Sequence, residues 1–457
     1  MKSNIKISCL AIGVIGLLIA ITQLLSCHTD NVPIDTKHLT EFHALTESVE
    51  TTDMPNNQLA LFVDYSNCIA DGMSSPFYQK MVSPLTAATK EYWSIKGSDI
   101  QKVDGDVYYL LNNVEEVNYA ALDNAINQMA ERVGESVMLT DGELFTQTAT
   151  KNNPNNPYMH AAFKKWLLKG HDIHIIAEPY QEVYKGQTFN KKRFYIIFTD
   201  DRIEGNIYSR ISEVVNLEDF PQIDEFHLSG NYPYPLPVKG STTSKPNEVL
   251  AATVQGYGPI PMEIQDWQIG WKQISNLIMY ASDENGNQLP NGDKLIGGLT
   301  INKNAFGCYR IKDIEVKVYN ITAEYDSIYT EIANGQKVGF TEIDPLEMTS
   351  FITYDADEFK RHGNVDLYFD TSNPEFNPQI YLDGDPYNFF KIEIKIKDLE
   401  NILGNNIEIF NFDSIVQSGS TNESISESLK NCVFDPELLK QLNGKTLYTI
   451  YVKSDKY

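Results

Sequence analysis

Short apolar runs and amphipathic helical patterns alternate along residues 58–228. The apolar runs are bounded by turn residues, as buried strands usually are. They are Gln58–Val63, Val107–Leu111, Val137–Leu139, His174–Ala177 and Phe194–Phe198. Between them, apolar residues recur at helical spacing in Ser75–Thr89, Asn118–Val133, Tyr158–Leu168 and Asn206–Val215. This alternation predicts a doubly wound α/β domain, in which helices cover both faces of a parallel sheet.

The pattern changes after a proline-rich stretch at 229–248, which we interpret as an interdomain linker. Beyond it, apolar and charged residues alternate in Tyr309–Tyr319 and Phe390–Ile396, as they do in half-buried strands. A short helix is expected after Asp435, and Leu447–Val452 is expected to form a closing strand. Residues 249–457 are therefore predicted to be mostly β, with one or two sandwiches.

The first 27 residues carry the clearest signal in the chain. Lys2 and Lys6 precede residues 7–25, an apolar segment without charge, and Leu-Leu-Ser then leads to Cys27. This arrangement resembles the lipobox of bacterial lipoprotein signal peptides. The resemblance implies that residues 1–26 are removed and that Cys27 is lipidated. The alternative is an uncleaved transmembrane helix, because the apolar segment is long enough to span a bilayer.

Lipidation would place the protein in the bacterial cell envelope, with the outer membrane as the expected location and residues 27–57 as a polar tether. The 457 residues include 37 Lys and Arg against 62 Asp and Glu, which gives a net charge of -25. Such a surface repels phosphate backbones, so nucleic acid is excluded as a partner. Five cysteines are too few for a disulfide framework, and they leave the pairing of Cys308 and Cys432 open. We see no Cys or His spacing typical of zinc sites.

Four predicted strands end in an acidic residue: Asp64, Asp141, Glu178 and Asp200. Ligands of open α/β sheets bind at the carboxyl ends of the strands, and converging carboxylates need a cation to relieve their repulsion. A hard divalent ion such as Mg²⁺ prefers these oxygen ligands, whereas helix capping is the alternative role for some of the acids. By contrast, His171 and His174 fall on opposite faces of a strand, and we interpret them as structural.

Two of these strand ends resemble the metal-ion-dependent adhesion site of von Willebrand factor A domains. Asp64 begins the run Asp-Tyr-Ser-Asn-Cys after the first strand, and Asp141 lies in a Thr-Asp-Gly turn. The resemblance implies a Mg²⁺ site in which Asp64 and Ser66 are direct ligands and Asp141 acts through water. Cys68 stands where that family has a second Ser, and a thiol is a poor Mg²⁺ ligand.

The resemblance also implies a function. In that family a second loop supplies a Thr, for which this chain has no clear equivalent near Glu116 and Asn118. The ion lacks one ligand, which an acidic side chain of the partner supplies, so the implied activity is recognition.

We therefore expect a binding or adhesion module for a protein or glycan. One alternative is a metal-dependent phosphoester hydrolase that uses Asp64, Asp141 and Asp200, with Glu178 as its base. Another is a structural component of the envelope. The lack of a recognisable nucleophile–base pair favours the binding module over an enzyme.

Overall fold

The computed structural model describes most of the chain between residues 41 and 455: 41–42, 45–46, 56–114, 120–144, 155–231, 248–254, 258–269, 272–280, 294–304, 306–348, 352–369, 387–402, 404–415 and 419–455. The predictions for Cys27, Glu116 and Asn118, and for most of the tether and the linker, lie outside the described residues. No helix within these ranges is long and apolar enough to cross a bilayer.

A seven-stranded mixed sheet organises the first half of the chain. Its strands follow the order β3-β2-β1-β4-β6-β5-β7 across the sheet. Strands β2, β1 and β4 are parallel, whereas β3, β6 and β7 run antiparallel to their neighbours. The strand bounds are β1 Asn56–Asp64, β2 Thr89–Lys96, β3 Asp99–Lys102, β4 Gly134–Thr140, β5 Asp172–Tyr184, β6 Gln187–Thr199 and β7 Asp224–Ser229. The predicted α/β class is thus confirmed.

Helices cover both faces of this sheet, because side chains alternate along each buried strand. Leu61 and Val63 of β1 belong to one core cluster, and Ala60 and Phe62 to another. Helices α1, α2 and α6 contribute to the first cluster, and α4 and α5 to the second. The helix bounds are α1 Asn67–Gly72, α2 Pro76–Ala88, α3 Val107–Leu111, α4 Leu122–Glu131, α5 His160–Leu168 and α6 Ile207–Val214, followed by a 3₁₀ turn at Leu217–Asp219.

The prediction of a strand at Val107–Leu111 is wrong, because this run forms helix α3. The Asp106 side chain accepts a hydrogen bond from the Tyr109 amide and so caps the helix. Tyr108 and Tyr109 are more than half exposed, so the run does not have the burial on both sides that a central strand requires. A five-residue apolar run has no periodicity that separates a strand from a helix.

The prediction of an all-parallel sheet is also wrong. Strands β5 and β6 form a hairpin closed by Lys185 and Gly186, whose φ angles are 50° and 78°. Two consecutive residues with positive φ make a tight two-residue turn, and such a turn reverses the chain direction. Strand β6 therefore pairs antiparallel with both β5 and β4.

The second half of the chain is mostly antiparallel β structure. A seven-stranded sheet has the order β13-β12-β16-β19-β10-β9-β8, and a three-stranded sheet has the order β11-β15-β14. The pair β10 and β19 is parallel. The strands are β8 Glu248–Val254, β9 Gly258–Ile269, β10 Lys272–Tyr280, β11 Lys294–Thr300, β12 Tyr309–Asn320, β13 Leu346–Met348, β14 Ile352–Tyr354, β15 Asn364–Phe369, β16 Tyr387–Asn401, β17 Phe412–Asp413, β18 Thr421–Asn422 and β19 Thr446–Asp455.

Two helices of the second half pack against the first half. Within the described residues of this half, the helices are α7 Thr322–Ala333, α8 Ala356–His362, α9 Ser424–Val433 and α10 Pro436–Leu442, with a 3₁₀ helix at Gly404–Phe410. Helices α9 and α10 contact α5, and the Ser428 hydroxyl accepts a hydrogen bond from the Met159 amide at 3.2 Å. One core cluster contains residues of both large sheets and of α4, α5, α9 and α10. Cys308 and Cys432 lie in it as buried, unpaired thiols.

Candidate functional site

The carboxylate of Asp64 lies buried at the end of β1. Strands β1 and β4 are parallel neighbours with Val63 opposite Leu139, so the residues that follow them meet at one edge of the sheet. The Ser66 amide donates to Asp64 Oδ1 at 2.8 Å, and the Thr140 hydroxyl donates to Oδ2 at 2.9 Å. The structure thus brings Asp64, Ser66 and the Thr-Asp-Gly turn together.

Asp141 adds a second carboxylate to this edge. Burial and, to a smaller extent, the charge of Asp141 raise the pKa of Asp64 to about 7, against the opposing effect of the hydrogen bonds from Ser66 and Thr140. Burial thus disfavours the charged form of Asp64, and the neighbouring carboxylate of Asp141 adds repulsion. A cation bound between the two carboxylates would relieve that repulsion.

Lys191 places a positive charge beside the Asp141 turn. Its ammonium is fully buried, pairs with Glu143, and lies 3.6 Å from Asp141 Oδ2. Glu143 also accepts hydrogen bonds from the Ser414 hydroxyl at 2.8 Å and the Ile415 amide at 3.0 Å. The segment before α9 therefore covers the outer side of the Asp141 turn.

Glu178 does not join Asp64 and Asp141, contrary to its predicted place beside them. Glu178 lies on the same face of the sheet as Ile176, whereas Asp64 lies on the face of Phe62. Its carboxylate pairs with Arg193 at 2.8 Å and accepts a hydrogen bond from the Ser75 hydroxyl. This buried ion pair lies on the other face of the sheet from Asp64. Glu178 is therefore not placed to act as a base for the Asp64 corner.

Asp200 lies at the opposite edge of the sheet, so the predicted group of Asp64, Asp141 and Asp200 does not form. Because β6 is antiparallel to β4, Phe194 pairs with Thr140, and Asp200 is six residues further on, about 20 Å along the strand. Hydrogen bonds from Arg202 and His171 outweigh the effect of burial and keep the pKa of Asp200 below its usual value. This Asp is held in a structural ion pair, with Arg202 Nη2 2.6 Å from Oδ2.

A second group of side chains at this opposite edge was missed from the sequence. His174 Nε2 lies 3.0 Å from Asp201 Oδ1, and His227 Nε2 lies 3.4 Å from Asp201 Oδ2. The register of β5 and β7 places His174 directly opposite His227. One ligand atom from each of these three residues lies within 4.8 Å of the other two. No sequence spacing reveals this group, because β5, the turn after β6, and β7 each contribute one residue.

The protonation of His174 reflects these neighbours. Burial alone would lower the pKa of this imidazole, but the hydrogen bonds from its ring to Asp201, the nearby Glu225 carboxylate and the charges of Asp201 and Asp172 raise it to about 9. Without a metal ion, His174 is therefore a cation within a cluster of carboxylates.

A cleft of about 400 Å³ opens between the β5–β6 hairpin and the β17–β18 hairpin. Tyr180 and Phe412 contribute aromatic surface to it, Gln181 and Asn190 contribute amides, and Lys191 lies in its wall with its ammonium buried against Glu143. Lys191 links this cleft to the Asp141 corner through the ion pair described above.

Comparison of the chain with protein-family models, with curated proteins and with solved structures found no match. The function is therefore inferred from the geometry of the chain itself.

Proposed function

We propose that this chain is an envelope lipoprotein, anchored through Cys27, that binds a protein or glycan partner through a divalent-cation site at Asp64, Ser66 and Asp141. The observation that carries the proposal is the meeting of two buried carboxylates, Asp64 and Asp141, beside Ser66 at the ends of neighbouring parallel strands. The first half is proposed to be a von Willebrand factor A-like domain. The β-rich half, expected from its sequence to contain a sandwich, would act as a stalk or second contact.

The donor set at this corner fits Mg²⁺. The carboxylates of Asp64 and Asp141 and the hydroxyls of Ser66 and Thr140 are all hard oxygen donors, which Mg²⁺ prefers. When bound, the ion would supply a positive charge that an acidic group of a partner can complete. Since Cys68 replaces one hydroxyl of the family pattern, we expect weak binding with several retained waters.

Recognition fits this site better than hydrolysis. The hydrolase alternative needs Asp200 and Glu178 beside Asp64 and Asp141. Among the described residues, however, Glu178 pairs with Arg193 and Asp200 pairs with Arg202, both away from Asp64. The amide-lined and aromatic-lined cleft beside Lys191 offers the surface that a polar partner such as a glycan or a peptide would contact.

Calorimetric titration with Mg²⁺, Mn²⁺ and Ca²⁺ tests the cation site. We expect saturable binding to the parent protein and none to Asp64→Ala. The matched control is Asp99→Ala, which removes an exposed carboxylate from the edge strand β3 of the same sheet. Binding to a glycan array and a peptide library, with and without chelator, then tests recognition. No heat with any of the three ions would contradict the cation site, and partner binding that ignores the chelator would contradict its role.

A further inference from the structure

We propose that His174, Asp201 and His227 form a second metal site, which takes a divalent transition-metal ion, with Zn²⁺ as the best fit. This site lies at the opposite edge of the sheet from Asp64 and is independent of the proposed binding function. Its three residues come from β5, the turn after β6, and β7, so folding of the sheet assembles it.

The distances between the ligand atoms suit a tetrahedral ion. Bonds of 2.0–2.1 Å at tetrahedral angles place neighbouring ligand atoms about 3.3 Å apart. Asp201 Oδ2 lies 3.1 Å from His174 Nε2 and 3.4 Å from His227 Nε2. Two edges of the tetrahedron therefore already have the required length, and the third lies within 4.8 Å.

Neighbouring side chains surround the histidine ligands. The ring of His174 stacks on Tyr208 and on His227, with centroid distances of 3.6 and 4.2 Å and nearly parallel planes, so one imidazole must tilt on binding for both Nε2 atoms to point at the ion. Its second nitrogen, Nδ1, is buried and faces Glu225 Oε1 at 3.7 Å, and the Tyr208 hydroxyl donates to the same oxygen. A carboxylate facing the second nitrogen of a histidine is the usual surrounding of a metal-bound imidazole.

The chemistry of the ligands selects the class of metal. Two imidazole nitrogens and one carboxylate match zinc centres that keep a position for water, whereas Mg²⁺ and Ca²⁺ prefer oxygen ligands alone. Asp201 and His227 are each 21% exposed, so an ion can reach the ligands from solvent. His174 is buried beneath them and closes the inner side of the site.

Titration of the purified, chelator-treated protein with Zn²⁺ tests this proposal, and Co²⁺ absorption reports the coordination. We expect one equivalent of Zn²⁺ and the visible bands of a four-coordinate Co²⁺ site. His227→Gln and Asp201→Asn should each lower the affinity more than 100-fold. Glu225→Gln, which leaves all three ligands in place, should lower it about 10- to 100-fold.

Two controls separate this site from other sources of binding. His362→Gln changes an exposed histidine on α8 and should leave the Zn²⁺ affinity unchanged. Asp64→Ala should also retain it, so failure of the Mg²⁺ site and failure of this site are distinguishable. Circular dichroism and melting curves establish that each variant is folded. Absence of stoichiometric Zn²⁺ binding, or equal affinity in folded His227→Gln and Asp201→Asn, would overturn the proposal.

Discussion

Replacement of Asp64 by Asn should stabilise the metal-free protein at alkaline pH. The change removes a buried negative charge that also repels Asp141, while it keeps the size of the side chain. The folded-state pKa is about 7 against an ordinary value of 3.8, a difference of about three units. At about 1.4 kcal/mol for each unit, the buried charge costs the folded state about 4 kcal/mol once it is fully ionised.

The substitution also removes a hydrogen bond, which offsets part of the gain in folding stability. Asn offers an NH₂ group where Asp64 Oδ2 accepts from the Thr140 hydroxyl, and the loss of that bond costs about 1 kcal/mol. We therefore expect Asp64→Asn to be more stable than the parent by about 3 kcal/mol at pH 8.

The stability difference between Asp64→Asn and the parent should change sign with pH. Between pH 4 and pH 7 the folded parent binds more protons at Asp64 than the unfolded chain does, so its stability falls as the pH rises. Below pH 4 the carboxyl group is neutral in both states, and the variant should be slightly less stable than the parent. The two stability curves should therefore cross.

Urea denaturation in chelator, followed by tryptophan fluorescence at several pH values, measures both curves. Asp99→Asn, an exposed substitution on β3, should run parallel to the parent throughout. Mg²⁺ at about 100 times its dissociation constant should stabilise the parent by about 2.7 kcal/mol and leave Asp64→Asn unchanged. A variant that is less stable than the parent at pH 8 would refute the argument that burial and repulsion make the Asp64 charge unfavourable.

Three further predictions follow from single residues. Arg193→Met should destabilise the protein by about 3–5 kcal/mol in urea denaturation because it leaves Glu178 buried without its cation, and adding Glu178→Met should restore much of the loss. Gly142→Ala should lower the melting temperature, since φ is +74° and a Cβ would lie 2.7 Å from Ile425 Cδ1; an unchanged temperature would contradict this packing. Cys27→Ser should leave the membrane fraction or accumulate as precursor, whereas unchanged fractionation would refute lipidation.

The sequence determined those features that depend on local periodicity and on the order of elements. Helices α2, α4, α5 and α6 were predicted within a few residues, because each presents a continuous apolar stripe to the core. The meeting of Asp64 with Asp141 could also be predicted, since two parallel neighbouring strands bring their carboxyl ends to one edge. Whether these residues hold a metal ion stays a prediction.

Only the tertiary structure decided which strands pair and in which direction. The turn at Lys185 and Gly186 reverses β6, which moves Asp200 to the far edge of the sheet. His227 lies on β7, a strand that carries no clear alternation, and it meets His174 only because β7 pairs with β5. Such pairing joins residues distant in the chain, so its stability comes from burial and hydrogen bonding between whole strands. A local pattern of residues does not indicate which strands will pair. The His174 group could therefore be found only in the folded chain.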